Sequence, residues 1–138
     1  MTKFYYLDTS IWLDFFENRD EPNFPKGEWA KRLVDWIIKE RGKIICSEVI
    51  RNEMIVVGYS KYEIEDWFFP LRRHLVFIYS DKKQFGRAKD LSKKRKIPLF
   101  DALHAIIVRD LKATRVTRDK HFDSLLDIVR YRKPEEII

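Results

Sequence analysis

Short runs of strand character alternate along this chain with longer segments of helical period, and that alternation limits the folds open to it. The strands are KFYYLD (3–8), KIICS (43–47), LVFIYS (75–80), TRVTRD (114–119) and DIVRY (127–131). Between them fall TSIWLDFFEN (9–18), EWAKRLVDWIIKER (28–41), SEVIRNEMIVVG (47–58), KYEIEDWFFPLRRH (61–74) and DKKQFGRAKDLSKKRK (81–96). A further helix over 99–112 is apolar almost all round and is expected to be buried. Strands separated by helices pair in parallel and carry helices on both faces. Their crossovers are right-handed, and ligands bind beyond the carboxyl ends of the strands. The expected class is α/β, one domain over residues 1–138, with its chemistry along one edge of the sheet.

Local signals bound these elements. Thr9 or Ser10 can cap the first helix, while Ser47 caps and Gly58 ends the helix between them. Trp29, Leu33, Trp36 and Ile37 mark one stripe of the clearest amphipathic helix. Residues 19–27, with two prolines and a glycine, read as a loop, and Pro70 disturbs the segment around it. KHFDSLL (120–126) reads as a short helix.

Composition enters through charge. Residues 1–70 hold 10 Lys and Arg against 13 Asp and Glu, and residues 71–138 hold 18 against 9. A basic second half favours a polyanionic partner, nucleic acid first, although a solubilised surface accounts for charge alone equally well. Lys93, Lys94, Arg95 and Lys96 sit at a helix C-terminus, where cations also suit the helix dipole. No run approaches membrane-spanning length, the start lacks the apolar core of a signal peptide, and a single cysteine, Cys46, fits a reducing compartment. The expected location is the cytoplasm.

Acids gather at equivalent places in this scheme. FDALHAIIVRDLKATRVTRDKHF (100–122) is bracketed by Asp101, at the start of the buried helix, and Asp119, just past the following strand. Asp8 ends the first strand, so Asp8 and Asp119 fall on the same sheet edge whatever the strand order. Asp101 alone is explained as readily by helix capping. Glu53 has Val49, Ile50, Val56 and Val57 as its helical neighbours, and a carboxylate buried there needs a partner. Glu48, beside Arg51 and Asn52, looks solvated. His104 reads as a packing residue of its helix and His121 as a surface residue.

A divalent cation would neutralise converging acids. Oxygen donors without clustered His or Cys suit Mg²⁺ or Mn²⁺ better than Zn²⁺. Carboxylates holding such an ion suit phosphodiester hydrolysis, because the ion lowers the pKa of the attacking water and stabilises the leaving oxygen. No Gly-rich phosphate loop or nucleophilic cysteine setting competes.

On YLDTSIWLDFF, SEVIRNEM, DALHAIIV and VTRDKHF the sequence resembles the PIN-domain family of metal-dependent ribonucleases, and within it the VapC-like toxins. The resemblance implies a three-layer α/β/α sandwich with a mostly parallel central sheet and a frequent homodimer. It carries the family's acidic quartet onto Asp8, Glu53, Asp101 and Asp119. Asp8, Asp101 and Asp119 become metal ligands, and Glu53 a ligand or an orienter of the attacking water. Thr117, with Thr9 or Ser10, matches the family's supporting hydroxyls. Hydroxide attack would leave a 5′-phosphate, with RNA tracked by Lys93, Lys94, Arg95, Lys96, Arg115, Arg118 and Lys120. A toxin would also need an antitoxin protein. Trp12, Phe16 or Trp67 could meet that partner or a second copy, though core packing is the commoner fate of such residues. Two other readings are a non-catalytic binding module on this fold, and a phosphotransferase with Asp8 as nucleophile. The latter would want a second Asp where this chain has Ser10.

Overall fold

In the computed structural model, which describes residues 2–138, five strands form a single parallel sheet. They are β1 (Phe4–Leu7), β2 (Lys43–Ser47), β3 (Leu75–Ile78), β4 (Thr114–Val116) and β5 (Tyr131–Arg132), in the order β3-β2-β1-β4-β5. Seven α-helices join or follow them: α1 (Thr9–Glu17), α2 (Lys26–Lys39), α3 (Glu48–Val57), α4 (Lys61–Phe68), α5 (Lys82–Arg95), α6 (Leu99–Leu111) and α7 (Pro134–Ile137). Two 3₁₀ segments, Phe69–His74 and Lys120–Leu125, precede β3 and β5.

The order explains the layers. The chain moves from β1 through β2 to β3 in one direction, then crosses back to β4 and β5 on the other side of β1. Right-handed crossovers running in opposite directions put their helices on opposite faces. Accordingly α1 packs on α2 and α3, whereas α5 packs on α6 and α6 on the Lys120–Leu125 segment. The result is the α/β/α sandwich expected, with α6 buried from Ala102 to Val108. Direction reverses between β1 and β4, and the crevice beyond the carboxyl ends of two such strands is where ligands bind in sheets of this kind. Asp8 sits there, its backbone N–H donating to the Val116 carbonyl at 2.8 Å.

Local chemistry sets most boundaries as expected. The Ser47 hydroxyl accepts from the Ile50 N–H at the start of α3, and Gly58 closes that helix at φ +126°, which a side chain rarely tolerates. Trp12 is fully buried rather than displayed: it stacks on Phe16 and meets the Phe68 ring edge-on at 4.9 Å, and Phe16 stacks in turn on the partly buried Trp67. These rings weld α1 to α4, each pair adding about 1 kcal/mol beyond its buried area. Several boundaries shift from the sequence reading: β3 and β4 end at Ile78 and Val116, and α2 runs Lys26–Lys39. The last strand starts at Tyr131 rather than at 127, because Ile128 and Val129 donate their N–H groups to the Leu125 carbonyl in a turn. The α6 cap is Pro98, with no side-chain capping bond, so Asp101 lies within the first turn and is not the N-cap.

Among the described residues no helix is long and apolar enough to cross a membrane.

Candidate active site

Asp8 leaves β1 nearly buried and well attended. The Thr117 hydroxyl, from the end of β4, and the Ser10 hydroxyl, from α1, donate to its Oδ2 at 2.9 and 3.0 Å. On the other oxygen, Oδ1, the Arg115 guanidinium approaches to 3.5 Å. Arg115, expected on the surface along an RNA path, is instead fully buried. Tyr6, its register partner on β1, and Phe122 sandwich the guanidinium at 5.4 and 4.1 Å from their ring centres. The planar, weakly hydrated group tolerates this through cation–π attraction, yet Nε and Nη1 have no hydrogen-bond partner. Arg115 is thus a fixed positive charge beneath Asp8.

Glu53 is held from two sides. The Thr9 hydroxyl donates to its Oε1 at 2.9 Å, and His104 Nε2 bonds the same oxygen. Two expectations change here. Val56 and Val57 are exposed, so the apolar face of α3 is Val49, Ile50 and Met54, and Glu53 lies at its margin, about a quarter exposed. His104 does pack inside α6, but it is also the partner Glu53 required. Behind it, Nδ1 meets the Tyr6 hydroxyl at 2.6 Å, and that hydroxyl meets Ser47 Oγ at 2.7 Å. Glu48 is turned away: both of its oxygens accept from the Ser80 N–H at the end of β3, at 2.8 and 3.0 Å.

Asp101 and Asp119 complete the set. Asp119 caps the Lys120–Leu125 segment by accepting from the His121 N–H at 2.9 Å, and its own N–H donates to Thr117 Oγ1 at 3.1 Å. Asp119 thus caps a segment of its own, whereas Asp101 makes no capping bond. Burial is the main reason that the Asp101 carboxyl sits above its ordinary range; His104 pulls it down more than any one acid raises it, and the charges of Asp119, Asp8 and Glu53 add smaller upward pushes. Asp101 thus feels the charges of Asp8, Glu53 and Asp119.

As the side chains lie, no three His, Cys, Asp or Glu residues among those described are close enough to enclose an ion. The donor chemistry nonetheless fits Mg²⁺ or Mn²⁺: carboxylate and hydroxyl oxygens, with repulsion at Asp101 that a cation would relieve.

The basic residues divide. Lys93, Lys94, Lys96 and Lys120 are exposed. Arg95 instead grips Asp127 through two hydrogen bonds of 2.7 and 2.6 Å and also donates to the Ser124 carbonyl. Arg118 lies over the Phe24 ring and pairs with Glu135 at 2.8 Å. Arg95 and Arg118 are tied into the fold, not free along a backbone path.

Sequence reasoning misses Tyr6, Ser47, His104 and the inward role of Arg115 as parts of this site. A signal does exist: Tyr6 lies two residues before Asp8, on the same face of a strand, and His104 one turn after Asp101 on a buried helix. Polar groups in the most apolar segments ask for partners.

Compared with known proteins, residues 5–126 match the family model described as PIN domain. No curated protein matches. Among solved structures, VapBC2 from Rickettsia felis, bound to a DNA fragment from its promoter, superposes with a TM-score of 0.69 at 16% identity, covering 94% of this chain and 98% of that one. VapBC-1 from nontypeable Haemophilus influenzae gives 0.67 at 16%, covering 96% and 98%. A toxin–antitoxin complex from Klebsiella pneumoniae gives 0.63 at 21%, covering 94% and 96%. At these identities the likeness is one of fold.

Proposed function

The chain belongs to the PIN-domain family, and on that premise we propose that it is a Mg²⁺- or Mn²⁺-dependent endoribonuclease, the toxin of a toxin–antitoxin pair. The observation that carries the reading is the placement of the acids: Asp8 held by Thr117 and Ser10 beyond β1, Glu53 held by Thr9 and His104, and Asp119 just past β4, all three close enough to raise the Asp101 carboxyl of α6. A binding surface for RNA gains nothing from four carboxylates beside the phosphate path, whereas hydrolysis does.

Asp8, Asp101 and Asp119 would hold the ion, and Glu53 would orient water. When bound, the ion supplies charge stabilisation at the phosphate and an acidified water. Thr117 and Ser10 keep the Asp8 carboxylate facing the crevice, and Arg115 balances its charge from below. Thr9 and His104 occupy Glu53 Oε1, leaving Oε2 to accept a proton or a water hydrogen. Lys93, Lys94, Lys96 and Lys120 are the cations free to meet phosphates.

The Asp101→Asn protein tests the site. Cleavage of a structured or single-stranded RNA with Mn²⁺ should fall at least about a hundredfold, the scale on which losing a key electrostatic group acts. Mn²⁺ should raise the Tm of the wild type over its value in EDTA, by mass action, and raise that of the variant less. Near-wild-type cleavage by Asp101→Asn would remove the four-acid site.

A homodimer is part of the same proposal. Phe69 and Phe77 are exposed beside edge strand β3, around a cleft of about 350 Å³ that Ile64 and Phe68 also line. A second clustering of Ile55 and Tyr79 continues it past Arg51. Phe69→Asp should convert a dimer to monomers in sedimentation at micromolar concentration. An unchanged sedimentation profile would exclude this face as the dimer interface.

A further inference from the structure

Resting on the nuclease reading, we propose that His104 is a positioning residue: Ser47 and Tyr6 set its tautomer, and it locks Glu53 so that only Oε2 faces the reacting phosphate. The hydrogen-bond accounting leads there in one direction. A carboxylate only accepts, so His104 Nε2 carries the hydrogen that goes to Glu53 Oε1. With the ring neutral, Nδ1 accepts, and its neighbour at 2.6 Å, the Tyr6 hydroxyl, donates. The Tyr6 oxygen in turn accepts from Ser47 Oγ at 2.7 Å, and Ser47 Oγ accepts from the Ile50 N–H at the start of α3. Every group in the chain is used once.

The arrangement is built to hold still. Tyr6, Ser47 and His104 are each fully buried, so no water competes for their hydrogen bonds. The three come from β1, β2 and α6, and the chain they form ends on α3. Glu53 itself is partly exposed at the margin of α3, where a free glutamate would sample several rotamers. Two donors on one oxygen, Thr9 Oγ1 and His104 Nε2, remove that freedom. Fixing a group that must orient water is worth rate, and removing such supporting partners commonly costs about 10–100-fold.

The test compares three variants by kcat and KM on RNA with Mn²⁺, with Tm for each. His104→Phe keeps a ring but donates nothing, and should lower kcat at least about tenfold with KM within about twofold, in the range for removal of supporting partners. His104→Gln can offer its amide N–H near the position of Nε2 and should recover most of that loss. Equal losses in both, or none in a folded His104→Phe, would overturn the proposal. Tyr6→Phe removes one hydroxyl. In ¹⁵N-edited NMR of His104 the wild type should show the Nε2–H tautomer and Tyr6→Phe a mixture. A wild-type ring protonated on Nδ1, alone or together with Nε2, would overturn the proposal without any activity measurement. A wild type inactive on every RNA would instead defeat the nuclease reading, while the NMR result still judges the hydrogen-bond chain.

Discussion

Asp8 and Asp101 feel each other's charge under opposite conditions. Asp8 accepts from two hydroxyls and a guanidinium supplied by α1 and β4. Among the described residues no group donates a hydrogen bond to the Asp101 carboxylate, which burial and three like charges raise while His104 pulls the other way. Geometry and reactivity are divided between them. The attended acid fixes where the crevice lies, and the unattended one concentrates the unfavourable charge that a cation would remove. Neither alone marks a metal site, because held carboxylates abound in cores and crowded ones abound on surfaces.

The contrast breaks most visibly at Asp8. The Asp8→Asn protein should lose RNA cleavage together with stability, by about 2 kcal/mol or more, because the buried Arg115 guanidinium would keep its charge and lose the carboxylate beside it. Chemical denaturation measures the loss. Adding Arg115→Met to that variant should recover part of the stability and none of the activity, since it removes the unpaired buried charge and Met suits the Tyr6–Phe122 slot. If the single variant is as stable as the wild type, Arg115 is indifferent to Asp8 and the attended half is mere packing.

Asp101→Asn should act on stability in the opposite sense. An acid whose folded-state pKa is raised binds protons more readily folded than unfolded, so its penalty grows as pH climbs from the ordinary carboxylate range through the folded value. It is complete above that. The metal-free variant should therefore melt a few degrees higher than wild type at neutral pH, and no higher in acid below the ordinary carboxylate range. Melts in EDTA across this pH span decide it. A lower Tm at neutral pH would mean that Asp101 has an attractive partner after all.

The same division among the cations predicts a smaller effect. Replacing Lys93, Lys94 and Lys96 with Ala should flatten the salt dependence of RNA binding, by close to one counterion for each phosphate left unneutralised. Arg95→Ala should leave the slope nearly unchanged and lower Tm slightly, because Arg95 is engaged with Asp127. Equal slopes for both variants would erase the distinction between free and engaged cations.

How much of this is legible in the sequence follows the same line. β2 falls on 43–47 as read, and α5 keeps the span expected within a residue or two, because strand alternation and helix caps are local signals. Asp8 and Asp119 can be placed together because strand ends share an edge in any parallel sheet, whereas Glu53 and Asp101 join them through the family resemblance. Arg115 cannot be read, since its burial depends on Tyr6 and Phe122 meeting it from elements far apart in sequence. Charge suggests exposure, and tertiary packing overrides it. The short α7 escapes notice because Pro134–Ile137 is a single turn with no apolar period of its own.

β1 is the first strand of the chain and the middle strand of the sheet. A polypeptide leaving the ribosome can pair it with β2 early, but its other edge stays bare until β4 has been synthesised. At about 5–20 residues per second, the roughly seventy residues between the two leave that edge open for on the order of ten seconds. Thr117 and Arg115 reach Asp8 only when it closes. A nascent chain therefore carries most of its acids before Asp8 gains its partners, and an RNA-cutting activity of the kind proposed would be withheld near the very RNAs that are making it.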